Sequence, residues 1–382
     1  MNPSLPPLDP NGGEKQAERA QRKLFAIEST PDAGSFDGIE SIMGAALAGP
    51  LPLRMVDGLG QGGFGVVVQL EHMVTKQPYA MKVISKAKLA RRRDRRRLAL
   101  ELKIMDTMGP SPLCQQIYQS FETKTCVFVV MDLQRGGDLF FHLMDRIATK
   151  GTAFPENELR VLMAELTLAL EHMHKEGYIH RDVKVENVML DSEGHLKLID
   201  FGLACELVDD VMPLSPTGSI IYMAPELVHN NSGGRHTDWW AVGILVHELL
   251  VGESPWSSIH DKRLLREEIC SKKISPPSGV SPSARQFIEM LTCPDYRDRL
   301  GTNSDAEVKD APFFGSVDWD KMAALECAPA FKPPATSVCA EEMVDAAREY
   351  FRLSRAEVEA DRPSFMMGLR VVESFPQSNV DQ

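Results

Sequence analysis

Hydrophobic residues change their period once along this 382-residue chain, at Gly136-Gly137. Before that pair, Arg54-Met-Val-Asp57, Gly65-Val-Val-Val-Gln69, Tyr79-Ala-Met-Lys-Val-Ile84 and Cys126-Val-Phe-Val-Val-Met131 are short β-branched or alternating runs that predict strands. Between them, residues 86–109 place Leu98, Glu101, Leu102 and Met105 at three- and four-residue spacing, without glycine or proline before Gly109, which predicts a helix. After the pair the texture is mostly helical. Residues 156–175 form a long amphipathic run, 239–250 an apolar helix, and 281–291 a helix with Ser281 at its cap and Pro282 in its first turn. A stranded half followed by a helical half predicts an α+β chain of two lobes with a cleft between them.

Hydrophobic residues make up 43% of the chain, enough for a sizeable core, so disorder throughout is excluded. The seven cysteines are odd in number and show no CxxC spacing, which argues against a disulfide framework or a structural zinc site. A reducing setting is expected, cytoplasmic and with access to the nucleus. No stretch reaches the roughly 18 apolar residues that a membrane span needs, and the proline-rich start is unlike a secretory leader. Asn2 stands where myristoylation would need glycine. A formal charge of -12 argues against direct nucleic-acid binding and suits basic peptides.

Residues 1–52, punctuated by Pro and Gly with a polar helical candidate at 14–27, are expected to be a partly disordered N-terminal extension. Residues 53–314 are expected to be the main folded domain, split near 133/134, and 315–382 a tail with one helix at 340–353. The run Arg91-Arg-Arg-Asp-Arg-Arg-Arg97 has a polyanion-binding reading, but its place at a helix entrance in an acidic chain favours a solvated face.

Gly60-Gln-Gly62-Gly63-Phe64-Gly65-Val-Val67 lies between two strand candidates, where absent Cβ atoms let backbone N–H groups approach phosphate oxygens. No Gly-Lys-Ser/Thr follows and no helix opens, so neither a P-loop nor a dinucleotide fingerprint is present. Lys82 stands among apolar strand residues, and Glu101 falls near the apolar stripe of the next helix. An ion pair between them would settle both anomalies and steady an ammonium group for phosphates. The string His180-Arg-Asp182-Val-Lys184-Val-Glu186-Asn187 precedes an apolar strand, and Asp200-Phe-Gly202 follows a predicted hairpin turn at residues 191–194. Phosphoryl transfer asks for these groups: Asp182 to take a hydroxyl proton, Lys184 to stabilise transferring charge, and Asn187 with Asp200 to hold Mg²⁺ through hard oxygens.

These strings, with Ala224-Pro-Glu226 and Asp238, resemble the eukaryotic protein kinases. Asp238-Trp-Trp240, Arg299-Leu-Gly301, Phe313-Phe-Gly-Ser-Val-Asp-Trp-Asp320 and Phe331-Lys-Pro-Pro334 resemble the AGC group, the branch of the cyclic-nucleotide-dependent kinases. The resemblance runs over roughly residues 53–334. It implies a bilobal fold, with a small five-stranded antiparallel lobe carrying one helix and a larger helical lobe. It also implies a monomeric catalytic domain using ATP and Mg²⁺ on serine or threonine of protein substrates.

By position, the resemblance implies that Gly60, Gly62, Phe64 and Gly65 cover the phosphates. Val67, Ala80 and Met189 would sandwich the adenine, Met131 would stand behind it, and Asp132 and Gln134 would supply hinge backbone. Met105, His180 and Phe201 would stack between lobes, Glu226 would pair with Arg299, and Asp238 would brace the catalytic loop. Asp138, at the rim of the nucleotide site, would bind substrate arginines at the minus-three and minus-two positions together with Glu186 and Glu248. Ile220 and Met223 would receive an apolar residue at plus one, and Ser219 would adjoin the acceptor. Ser215 is the implied activating phosphosite, with Thr217 second. Arg97 and Arg181 would clamp its phosphate, and Cys205 stands where a further basic group is usual. The Ser215-Pro216 sequence is unusual for the group. The tail motifs are weak, with Phe351, Phe365 and Phe375 as candidates. An upstream kinase or a separate regulatory subunit is an expected partner. The alternatives are a calcium/calmodulin-group kinase and a pseudokinase scaffold.

Overall fold

The computed structural model describes residues 53–61, 65–89, 91–108, 111–122, 126–207, 212–213, 217–229, 232–315 and 317–333. The expected N-terminal extension, the tail helix and the tail phenylalanines lie outside these residues. Contacts divide the described chain into two units, one of residues 53–99 and 117–133, the other of 100–116 and 134–333.

In the first unit, β1 (Leu53–Gln61), β2 (Gly65–His72), β3 (Pro78–Ser85), β4 (Ile117–Glu122) and β5 (Cys126–Asp132) form one sheet in the order β1-β2-β3-β5-β4. All four pairings are antiparallel. Because side chains alternate along a strand, Val66, Val68 and Leu70 share a buried cluster with Tyr79, Met81 and Val83 and with Phe128 and Val130. β1 continues past the predicted Asp57 through Gly58 and Gly60, with register shifts between Met55 and Asp57 and between Gly58 and Gly60 that the side-chain pattern cannot signal. β4 was not legible as a strand. Its Gln119 and Glu122 are polar yet only 6% and 7% exposed, and Lys86 Nζ meets the Glu122 carboxylate at 2.7 Å.

The predicted helix over 86–109 is shorter. Residues Lys86–Leu89 make a 3-10 turn that buries Leu89, and the helix proper, α1, is Arg92–Thr107. Arg91, Arg92, Arg93, Arg95, Arg96 and Arg97 are exposed at its start.

The second unit carries most of the helices. They are α2 (Leu139–Lys150), α3 (Glu156–Lys175), α4 (Pro225–His229), α5 (Arg235–Val251), α6 (Lys262–Ser271), α7 (Pro282–Leu291), α8 (Asp305–Lys309) and α9 (Trp319–Ala323). Three small antiparallel ladders join β6 (Tyr178–Ile179) to β9 (Cys205–Glu206), β7 (Val188–Leu190) to β8 (Leu196–Leu198), and β10 (Met212–Pro213) to β11 (Ser232–Gly233). α5 is buried on all sides, as an apolar helix at the centre of a large unit must be. It begins at Arg235, four residues before the predicted Trp239, because its first turn buries His236, Thr237 and Asp238. Polar residues there read as loop in the sequence. Arg299, 1% exposed, bonds Glu226 through both terminal nitrogens, at 2.5 and 2.9 Å. The chain after α9 crosses the turn between β7 and β8. A Cβ on Gly194, whose φ is +102°, would sit 2.0 Å from the Phe331 carbonyl oxygen.

Candidate active site

Asp238, 1% exposed in the first turn of α5, holds the loop after β6 by its backbone. Its Oδ2 accepts the His180 N–H at 2.9 Å and its Oδ1 the Arg181 N–H at 2.8 Å. Those bonds stabilise Arg181 at φ +67°, a conformation costly for a long side chain. Behind Asp238, the His174 ring bridges Asp238 Oδ2 at 2.9 Å and Asp305 Oδ1 at 2.8 Å, and Asp305 also accepts Trp239 Nε1–H at 2.9 Å. Burial alone would drive the His174 proton off, but the bonds to Asp238 and Asp305 outweigh it and push the pKa up to about 9. Burial likewise pushes the Asp238 carboxyl up, and His174 with the backbone donors holds it below the usual range.

On this braced loop, Asp182 is 7% exposed and fully engaged. Its Oδ1 accepts the Ser219 N–H at 3.1 Å, and its Oδ2 accepts Lys184 Nζ at 2.8 Å and Asn187 Nδ2 at 3.0 Å. Lys184 Nζ also reaches Ser219 Oγ at 3.5 Å. Gly218 makes this approach possible: at φ +98°, a Cβ there would lie 2.8 Å from the Arg181 carbonyl oxygen. A carboxylate, an ammonium and a hydroxyl thus converge from segments 35 residues apart.

The β7–β8 ladder brings Asn187 next to the residue before Asp200, since the Ile199 N–H donates to the Asn187 carbonyl at 3.0 Å. Asp200 is exposed, sits at φ +62° and accepts the Gly202 N–H at 3.2 Å. Glu101 lies close by. A Cβ on Gly202 would be 3.1 Å from Asp200 Oδ1 and 3.5 Å from Glu101 Oε2. Phe201 is buried edge-on to His180, centroids 5.6 Å apart, and Met105 is buried on α1.

The donor set fits magnesium. Asn187 Nδ2 donates to the Asp182 carbonyl oxygen and to Asp182 Oδ2, which leaves the Asn187 side-chain oxygen as a hard donor beside the Asp200 carboxylate. Among the described residues no three or more His, Cys, Asp or Glu side chains converge as a self-sufficient metal site. A cation here would need further oxygens, of the kind phosphates and water supply.

In the first unit, Lys82 is half-buried on β3, paired in register with Val67 of β2 and Val129 of β5. Ala80 and Met131 face each other in the ladder, both 5% exposed, and Asp132 ends β5. Gly65 cannot be replaced without collision, because a Cβ would fall 1.7 Å from the Val83 carbonyl oxygen. Gly60 lies on β1, while Gly62 and Phe64 are outside the described residues. In the second unit, Gln134 is buried, and Met189 pairs with Asp138 in an isolated bridge flanked by Gly136 N–H to Leu190 O at 2.9 Å and Leu190 N–H to Gly137 O at 2.8 Å.

The acidic residues implied for substrate recognition differ in environment. Asp138 is the N-cap of α2, accepting the Phe141 N–H at 2.7 Å, and burial pushes its pKa up. Glu248, 8% exposed, accepts the Tyr222 hydroxyl; burial and the nearby Glu186 push it up while that bond pulls it down. Glu186 is exposed. A small cavity beside Asp182 is lined by Ser219, Tyr222, Met223, Leu227 and Ala241, and Ile220 is not part of that lining. Arg181 donates to Thr217 Oγ1 at 2.5 Å, and it lies by the Cys205 thiol, which burial pushes up and Arg181 pulls back. Ser215 is outside the described residues, and Arg97 is exposed on α1. The sequence pattern does not single out His174, Asp305 or Tyr222. Their partners lie 131, 64 and 26 residues away, and only Tyr222, a polar group inside an otherwise apolar segment, carries a local signal.

Residues 53–314 match the family model of the protein kinase domain. A probable serine/threonine-protein kinase of Dictyostelium discoideum is 38% identical over 276 residues, 72% of this chain and 59% of the relative. Human ribosomal protein S6 kinase alpha-3 is 37% identical over 292 residues, covering 75% and 38%. Human ribosomal protein S6 kinase alpha-1 is 35% identical over 340 residues, covering 86% and 44%. The chain therefore spans between 38% and 59% of the length of these relatives.

Proposed function

This chain belongs to the protein kinase family, and from that premise we propose that it is a serine/threonine kinase that transfers the γ-phosphoryl group of Mg-ATP to protein hydroxyls. The S6 kinases among its relatives are AGC-group kinases, so the group resemblance holds. The observation that carries the activity is the convergence of Lys184 Nζ, Ser219 N and Asn187 Nδ2 on the Asp182 carboxylate, beside the Asn187–Asp200 pair.

Asp182, its carboxylate oriented by these donors, would accept the proton of the incoming hydroxyl. Lys184, 2.8 Å from Asp182 Oδ2, would swing its ammonium to the transferring oxygens. Asn187 and Asp200 would hold the metal through their side-chain oxygens. Bound magnesium supplies neutralisation of phosphate charge. Lys82, with Glu101 as its counter-ion, would contact the phosphates further from the acceptor. Asp138, Glu186 and Glu248 would favour arginine at minus three and minus two, with Met223 favouring an apolar residue at plus one.

Radiolabel transfer from Mg-ATP to an arginine-containing serine peptide tests this reading, with Asp200→Ala as its control. Transfer by the native chain that falls to background in the variant is expected; equal transfer by both would defeat it. A positional-scanning peptide library reads the arginine and plus-one preferences in the same format.

A further inference from the structure

Glu165 is a carboxylate in the middle of α3 with a side chain only 1% exposed, outside the groups assigned to phosphoryl transfer. Ionised burial is costly unless both oxygens find donors. Here both do, and on consecutive residues: Oε1 accepts His195 Nδ1–H at 2.7 Å and Oε2 accepts the Leu196 N–H at 2.8 Å. Burial pushes the Glu165 pKa up, and these two bonds pull it back. An amide in place of the carboxylate would remove the charge, and it would keep both contacts only by switching His195 to the tautomer whose Nδ1 accepts.

The gripped residues end the turn between β7 and β8. From the other side Asp191 Oδ1 accepts the N–H groups of Glu193, Gly194 and His195 at 2.9, 2.8 and 2.9 Å. His195 is therefore held by side chain and backbone at once. That position sets the pairing Leu190↔Leu196, Met189↔Lys197, Val188↔Leu198, which the Ile199 N–H to Asn187 O bond closes. Asn187 precedes β7 and Asp200 follows β8, one residue beyond Ile199, so both stand at the open end of the hairpin. A one-residue slip would reverse the faces of β8 and part the two.

We infer that Glu165 and His195 are positioning residues for the metal-holding pair, acting through the register of the β7–β8 hairpin. The inference rests on the proposed kinase reading, which assigns magnesium to Asn187 and Asp200. It does not require either residue to touch metal or nucleotide.

The test uses the full chain and a non-hydrolysable ATP analogue, with binding followed calorimetrically as Mg²⁺ is raised and amide hydrogen exchange followed in parallel. Glu165→Gln and His195→Phe should raise the Mg²⁺ concentration for half-maximal analogue affinity about tenfold, the usual scale for groups behind metal ligands. Metal-free analogue affinity should stay unchanged, and exchange at Leu198 and Ile199 should quicken. His195→Asn, which keeps a side-chain N–H donor, should return the Mg²⁺ dependence to within about threefold, and it serves as the folded comparison should His195→Phe be unstable. Glu165→Asp does the same for Glu165→Gln. Variants that melt earlier yet keep the native Mg²⁺ dependence would overturn the inference and leave a purely structural role. A native chain whose analogue binding ignores both Mg²⁺ and Asp200→Ala would instead overturn the kinase reading itself.

Discussion

At the scale of single residues, Asp182 is the centre of the proposed chemistry, because three donors reach it from different distances along the chain. Ser219 is 37 residues away, Asn187 five and Lys184 two. Asp182→Asn keeps the shape but loses the proton acceptor and turns an NH₂ toward one of those donors. Turnover is expected to fall by roughly 10²–10⁴-fold with little change in nucleotide KM. Steady-state kinetics check this, and a loss confined to KM would contradict the assigned role. Asp182, Asn187 and Asp200 stood out as candidates in the sequence because the proposed chemistry needs specific side chains in a fixed order within one loop and one hairpin. His174 and Tyr222 did not. Nothing near His174 in sequence announces Asp305, and the Tyr222 hydroxyl finds Glu248 only once α5 is packed.

At the scale of elements, the legible helices were those with local signals. α7 shows this most directly: Ser281 accepts the Ala284 N–H at 3.1 Å and Pro282 opens the first turn. Ser281→Ala should cost about 1 kcal/mol and Ser281→Gly only a few tenths, measured as shifts in the urea unfolding midpoint. Equal losses for both would mean that the cap contributes little. β4 and the first turn of α5 mark the opposite limit. Gln119 and Glu122 on β4, and His236 to Asp238 on α5, are polar residues turned inward. A pattern of apolar residues reads such positions as solvent-facing, so it drops the strand and delays the helix.

At the scale of the whole molecule, the His174–Asp238–Asp305 cluster ties α3, α5 and α8 to the backbone of His180 and Arg181. A histidine raised on folding from its ordinary 6.5 to about 9 adds its stability in full below pH 6.5 and loses it as the pH climbs through 9. The loss is at most about 3 kcal/mol. Unfolding midpoints of the native chain and His174→Gln, compared at pH 6.5 and 9.5, should therefore converge at the higher pH. A gap that stays constant would show that His174 carries no extra proton in the folded state. The sequence by itself determined the two-texture architecture and the kinase family, and it supplied the residues proposed for phosphoryl transfer, because periodicity and short ordered motifs act over a few turns of chain. Only the tertiary structure decided which buried polar groups satisfy one another: Asp238 beneath the loop after β6, Glu248 with Tyr222, Glu165 under the β7–β8 hairpin. A buried charge is tolerated only where distant donors arrive together, and their arrival is a property of packing that local spacing does not encode.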